Sequence, residues 1–150
     1  MSKETLKKKI KIHEGFRDTI YLDTLHKKTI GYGHLIVHED KFVEGKPYPK
    51  EELEALFDKD FEKGWELMIR FCSVNNLNVS EEAQEVLCEM IFQMGYSGVG
   101  KFKNMIKALQ NKEYKVASIE MLDSRWAKQT PNRANELLIK LCCSCKNLVK

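Results

Sequence analysis

Glu14, Asp23 and Thr29 are the residues whose types and spacing suit chemistry. They lie within His13–His34, HEGFRDTIYLDTLHKKTIGYGH, which holds most of the polar groups suited to a reaction. Glycoside hydrolysis needs a carboxylic acid to protonate the leaving oxygen and a second carboxylate to activate water or attack the sugar. The two must face each other across a cleft, which suits one at a helix exit and one on a hairpin. Glu14 and Asp23 meet that description, and Thr29 offers a hydroxyl to hold the water. Spacing alone does not separate such a pair from two solvated surface charges.

Glu14 directly follows a run, Ser2–His13, whose Leu6 and Ile10 recur at helical spacing, with Ser2 as N-cap and Glu4 in the first turn. Gly15 ends that helix, because glycine enters the left-handed region without cost. Phe16–Asp23 and Thr29–Val37 carry β-forming residues and predict two or three short strands. Asp23–Lys28 connects them and lacks glycine, so a long, loose connection is expected. Gly31-Tyr32-Gly33 weakens a strand interior and admits close approach of another chain. His38–Pro49 reads as loop.

From Lys50 the period becomes 3.6. Leu53, Leu56, Phe57, Phe61, Trp65, Met68 and Ile69 predict one long helix to about Phe71. Ser80 is the expected N-cap of a helix that carries Ala83, Val86, Leu87, Met90 and Ile91 and stops at Gly95. Further helices are expected around Phe102, Ile106 and Leu109 and over Tyr114–Leu122, with a short turn at Ser124–Lys128. Thr130-Pro131 opens the last, with Thr130 as N-cap and Pro131 in first position.

Composition bounds the rest. At 150 residues, 43% hydrophobic and 31% charged, the chain is long enough for a core and has no low-complexity tract. Its 25 basic residues are matched by 22 acidic ones, interspersed along the chain, which argues against a nucleic-acid-binding stripe. The net charge of +3 favours an anionic partner, and bacterial cell wall is compatible. No apolar segment follows the lysine-rich first dozen residues, so neither targeting nor stable membrane contact is expected. Five cysteines form no even framework and suggest a reducing cytoplasm. Cys142, Cys143 and Cys145 lack the partners that would complete a metal site, so neither metal nor cofactor is expected.

Several blocks then resemble one family. They are Glu14-Gly15-Phe16-Arg17, Ile20-Tyr21, Asp23-Thr24 and Thr29-Ile30-Gly31-Tyr32-Gly33-His34, followed by Glu52-Leu53-Glu54-Ala55-Leu56-Phe57 with Asp60. Phe92-Gln93-Met94-Gly95 with Gly98-Val99 and Phe102 comes next, then Ser124-Arg125-Trp126 and Gln129-Thr130-Pro131-Asn132-Arg133-Ala134. In this order they resemble the phage T4-type lysozymes, the endolysin muramidases of glycoside hydrolase family 24, across nearly the whole chain.

The resemblance implies a two-lobed α+β fold. A β lobe would span about 13–49, a connecting helix 50–71, and a helical lobe 72–150 together with 1–12. Glu14 would be the general acid, and Asp23 with Thr29 would position a water for an inverting displacement. That outcome calls for carboxyls roughly 6.5–9.5 Å apart. Arg133 would approach Glu14, and its charge would oppose the raised pKa that an acid catalyst needs. His34 would pair structurally with Asp60. Gly33, Leu35, Phe92 and Gln93 would contact sugar, although an aromatic at Phe92's helical spacing also suits a core. Gln93, polar in an apolar helix, calls for a partner such as an N-acetyl group.

The implied substrate is peptidoglycan, cut by a monomer held in the host bacterial cytoplasm until a separate holin opens a route to the periplasmic wall. A binding protein of the same fold without turnover is the alternative. The chain departs from the family in a short segment between His34 and Phe57 and in the connection Leu25-His26-Lys27-Lys28. It also carries Met105 and Glu120 where small polar residues line the family's cleft, so no sugar contact is carried onto them.

Overall fold

A computed structural model describes residues 3–23 and 26–148, with 144–148 described as backbone alone. The expected N-cap Ser2, the connection residues Thr24 and Leu25, and the side chain of Cys145 fall outside the described residues. Among the described residues the order is α1 (Lys3–Glu14), β1 (Arg17–Leu22), β2 (Lys28–Gly31), β3 (His34–Leu35) and α2 (Lys50–Val74). It continues with α3 (Glu81–Gly100), α4 (Lys103–Gln110), α5 (Tyr114–Leu122), α6 (Arg125–Gln129) and α7 (Pro131–Leu148). The fold is α+β.

By contacts the chain divides into two compact units, 2–63 and 64 onward, and the division falls inside α2. α1 clusters with the sheet in the first unit, whereas the resemblance implies grouping it with the helical lobe. Lysines hold it there. Lys7 Nζ lies 3.5 Å from Asp58 and 5.2 Å from the centre of the Phe61 ring, while Lys11 Nζ lies 3.3 Å from Glu54 and 5.1 Å from both the Tyr32 and Phe57 rings. Beneath these stems Leu6, Ile10, Ile30, Leu53, Phe57 and Phe61 are buried.

The sheet is antiparallel in the order β1-β2-β3. Thr29–Val37 is not one strand, because Gly31 (φ +65°) and Gly33 (φ +77°) turn the chain back between β2 and β3. Gly31 also lies against Leu53, where an added Cβ would come within 3.4 Å of that side chain. The β1–β2 connection is tighter than expected. Asp23 N donates to Lys27 O at 2.9 Å, His26 N donates to Asp23 O at 3.0 Å, and His26 takes the left-handed position (φ +62°) that glycine would otherwise fill.

In the second unit Ser80 caps α3 as expected, accepting from Ala83 N at 3.2 Å. Gly95 (φ 85°, ψ 163°) breaks the helical path inside α3, where the sequence predicts a stop. Buried residues run all round the helix from Ala83 to Ile91, including Glu85 and Glu89. Pro131 is the first residue of α7, but the Thr130 hydroxyl donates back to Trp126 O at 2.9 Å.

Candidate functional site

Helix α1 delivers Glu14 as its last residue, and the β2–β3 turn meets it. A Cβ at Gly33 would collide with the Glu14 carboxylate, reaching its Oε2 and lying 3.0 Å from Cδ. Glycine at 33 suits the positive φ, and a Cβ there would push the Glu14 carboxylate from its place.

Asp23 and Thr29 are held by the backbone of a single residue, Lys27. Lys27 N donates to Asp23 Oδ1 at 2.8 Å, and Lys27 O accepts from both Asp23 N and Thr29 Oγ1, each at 2.9 Å. Thr29 is only 3% exposed, so its hydroxyl has a fixed role. Having given its proton to Lys27 O, the hydroxyl oxygen is an acceptor toward a third group. Tyr21, directly opposite Thr29 in the β1–β2 register, senses both carboxylates. Its phenol pKa is raised by burial first and then by the charge of Glu14, with Asp23 adding to the rise and Arg17 opposing it. Sequence reasoning assigned no role to Tyr21. The quoted motif Ile20-Tyr21 contained it, but nothing in the motif marks a neighbour of two acids.

His34 joins Asp60 through Nδ1 at 2.7 Å, and Asp40 takes the other ring nitrogen, Nε2, at 2.8 Å. Asp40 also accepts from Val37 N at 2.9 Å. Both ring nitrogens face carboxylates, which the doubly protonated imidazolium satisfies with two donated hydrogen bonds. Burial pulls the His34 pKa down, but the hydrogen bonds and charges of Asp60 and Asp40 outweigh it, so it is raised above 6.5. Burial pushes Asp40 up, while the Val37 hydrogen bond, His34 and Lys59 bring it below 3.8.

The signs give a window. A raised histidine pKa contributes stability that is full below about 6.5 and is lost as pH rises through the folded value. A lowered aspartate pKa contributes above about 3.8 and is lost as pH falls through its folded value. His34→Asn should therefore lower the melting temperature most between these limits, with the deficit shrinking at higher pH. A deficit independent of pH in paired melting curves would refute this.

The remaining candidates fall as follows. Leu35 is on β3 and 46% exposed. In the second unit, Phe92 on α3 lies against Gly64 of α2, whose added Cβ would sit 3.8 Å from the ring. Gln93 Oε1 accepts from Trp126 Nε1 at 2.8 Å, so the protein itself supplies that carbonyl's partner. Arg133, 8% exposed, donates from Nε to Glu89 Oε2 at 2.9 Å. Lys140 Nζ lies 3.0 Å from Glu85 Oε1, so two buried acids on α3 meet two cations on α7. Sequence reasoning passed over Glu85 and Glu89, although acids inside an otherwise apolar helical run are the signal that could have found them. Met105 and Glu120 share an open hollow of about 390 Å³ with Phe102, Trp126 and neighbouring charges.

Among the described residues no cluster of three His, Cys, Asp or Glu is placed to hold a metal, and no helix is long and apolar enough to cross a membrane. Cys142 donates its thiol hydrogen to Ser118 Oγ at 3.3 Å.

Comparison with known proteins follows the same residues. Positions 11–140 match the phage lysozyme family model. Two proteins of Dictyostelium discoideum, probable T4-type lysozymes 2 and 1, are 32% and 30% identical over 89% of this chain and 91% of their own length. The pre-baseplate central spike protein Gp5 of Enterobacteria phage T4 is 30% identical over 83% of this chain and 25% of its own length.

Proposed function

The chain belongs to the phage lysozyme family, and from that premise we propose that it is an endolysin-type muramidase. Its reaction is hydrolysis of the β-1,4 bond between N-acetylmuramic acid and N-acetylglucosamine in bacterial peptidoglycan. The observation that carries this reading is an acid seated on Gly33 together with an aspartate and a threonine fixed on the backbone of Lys27.

In the proposed reaction Glu14 gives its proton to the glycosidic oxygen as the bond to the anomeric carbon breaks. A water on the opposite face of the sugar donates hydrogen bonds to Asp23 and to the Thr29 oxygen, which is oriented as an acceptor. The water attacks the anomeric carbon and yields its proton to Asp23, and the configuration inverts. Gly33 and Leu35 are the proposed sugar contacts on the first unit. Access to the wall would follow release through a membrane lesion made by a separate holin.

Defined muropeptides digested with the protein test this reading. Reducing-end products of inverted configuration are expected at early times. Anhydro products would replace hydrolysis by a transglycosylase reaction, and tight binding without products would leave a wall-binding protein.

A further inference from the structure

β1 carries an irregularity whose effect falls on the site. Arg17 pairs with Gly31 and Tyr21 pairs with Thr29, so β1 spends two more residues than β2 over the same interval. Bulges of this kind re-aim side chains and are common beside active sites. Here the guanidinium of Arg17 comes to lie 4.9 Å from the centre of the Tyr21 ring. Regular pairing resumes at Tyr21–Thr29 and Leu22–Lys28 and is prolonged by Asp23 N donating to Lys27 O. Strand side chains alternate between faces, so Tyr21, its partner Thr29 and Asp23, two residues on, share one face.

The chemical types on that face are unequal. Ionised Asp23 only accepts hydrogen bonds, and the Thr29 hydroxyl has given its hydrogen to Lys27 O. Both groups proposed to hold the water are therefore acceptors. A half-buried phenol, its pKa raised by burial first and then by the charge of Glu14, adds a side-chain donor to that face.

We propose that Tyr21 is a positioning residue of the site. Its hydroxyl, on the sheet face shared by Asp23 and Thr29, donates a hydrogen bond that orders the Asp23 carboxylate, and through it the attacking water, once substrate has displaced solvent. Arg17, stacked on the ring, fixes where that hydroxyl points. The inference rests on the muramidase reading for its reaction, and on the strand register alone for its geometry.

Two measurements separate these. Tyr21→Phe keeps the ring and its stacking on Arg17 while removing the hydroxyl. On soluble glycan fragments its kcat should fall about tenfold with KM within about twofold, the loss expected for one directional hydrogen bond. An unchanged kcat, or a loss confined to KM, overturns the proposal. Independently of activity, the Tyr21 ring-carbon resonance should move when the protein is acidified. That movement should vanish in the Glu14→Gln, Asp23→Asn double variant. A static resonance, or one that still moves in the double variant, refutes the cluster. Wild-type protein that hydrolyses no glycan while its Tyr21 resonance behaves as expected refutes the muramidase reading and, with it, the catalytic role of Tyr21, and leaves only the geometry standing.

Discussion

Glu14→Gln should reduce turnover of cell-wall suspensions by at least about a hundredfold, the low end of what positioned proton transfer contributes. The amide matches the carboxyl in size, so it fits the space that Gly33 leaves for it, and the helix exit at Gly15 is untouched. What it lacks is a proton to give to a leaving oxygen. Folding should therefore survive, and thermal unfolding should stay close to that of the parent. Sedimentation with insoluble wall should also persist, because binding needs no proton transfer. Lysis at a near-parental rate would remove Glu14 from the acid role.

A comparably large effect, on stability rather than turnover, is expected at the buried pair between Glu89 and Arg133. Glu89 is 1% exposed, and its carboxylate meets Arg133 Nε at 2.9 Å. Glu89→Ala leaves a guanidinium buried beside the space once filled by its counter-charge. Breaking such a pair from one side costs about 3–5 kcal/mol. Replacing both partners together, as Glu89→Leu with Arg133→Met, removes both charges and should recover most of that loss, because the desolvation cost disappears with them. Urea unfolding of Glu89→Leu, Arg133→Met and the double closes a mutant cycle. Additive losses would mean that the pair is not coupled.

Much of this molecule follows from its hydrophobic spacing. The long helix beginning at Lys50, the Ser80 cap and the interruption at Gly95 are local matters of periodicity, side-chain capping and left-handed backbone. Each is settled within a few residues. Asp40 was not legible because it lies in a loop without periodicity and acquires its role only when His34 is bonded from two directions. The apolar run around Glu89 hints at its burial, but nothing local names its partner 44 positions away. The break at Tyr32 was hidden by the β-forming residues on either side, although its two glycines were visible. At the site, the residue types suggested acid and base, and the family resemblance assigned their roles. Neither pointed to the Lys27 backbone or to Tyr21, whose places depend on strand register.

The Lys27 backbone has a consequence for how this site would look in a mutational survey. Its N–H and C=O fix Asp23 and Thr29, while its side chain takes no part in either bond. Alanine at 27 preserves both interactions, so a side-chain scan would score the position as dispensable. Proline alone deletes the N–H. The anchor of the site is thus almost silent in residue identity, and drift at position 27 can continue without disturbing the groups it holds.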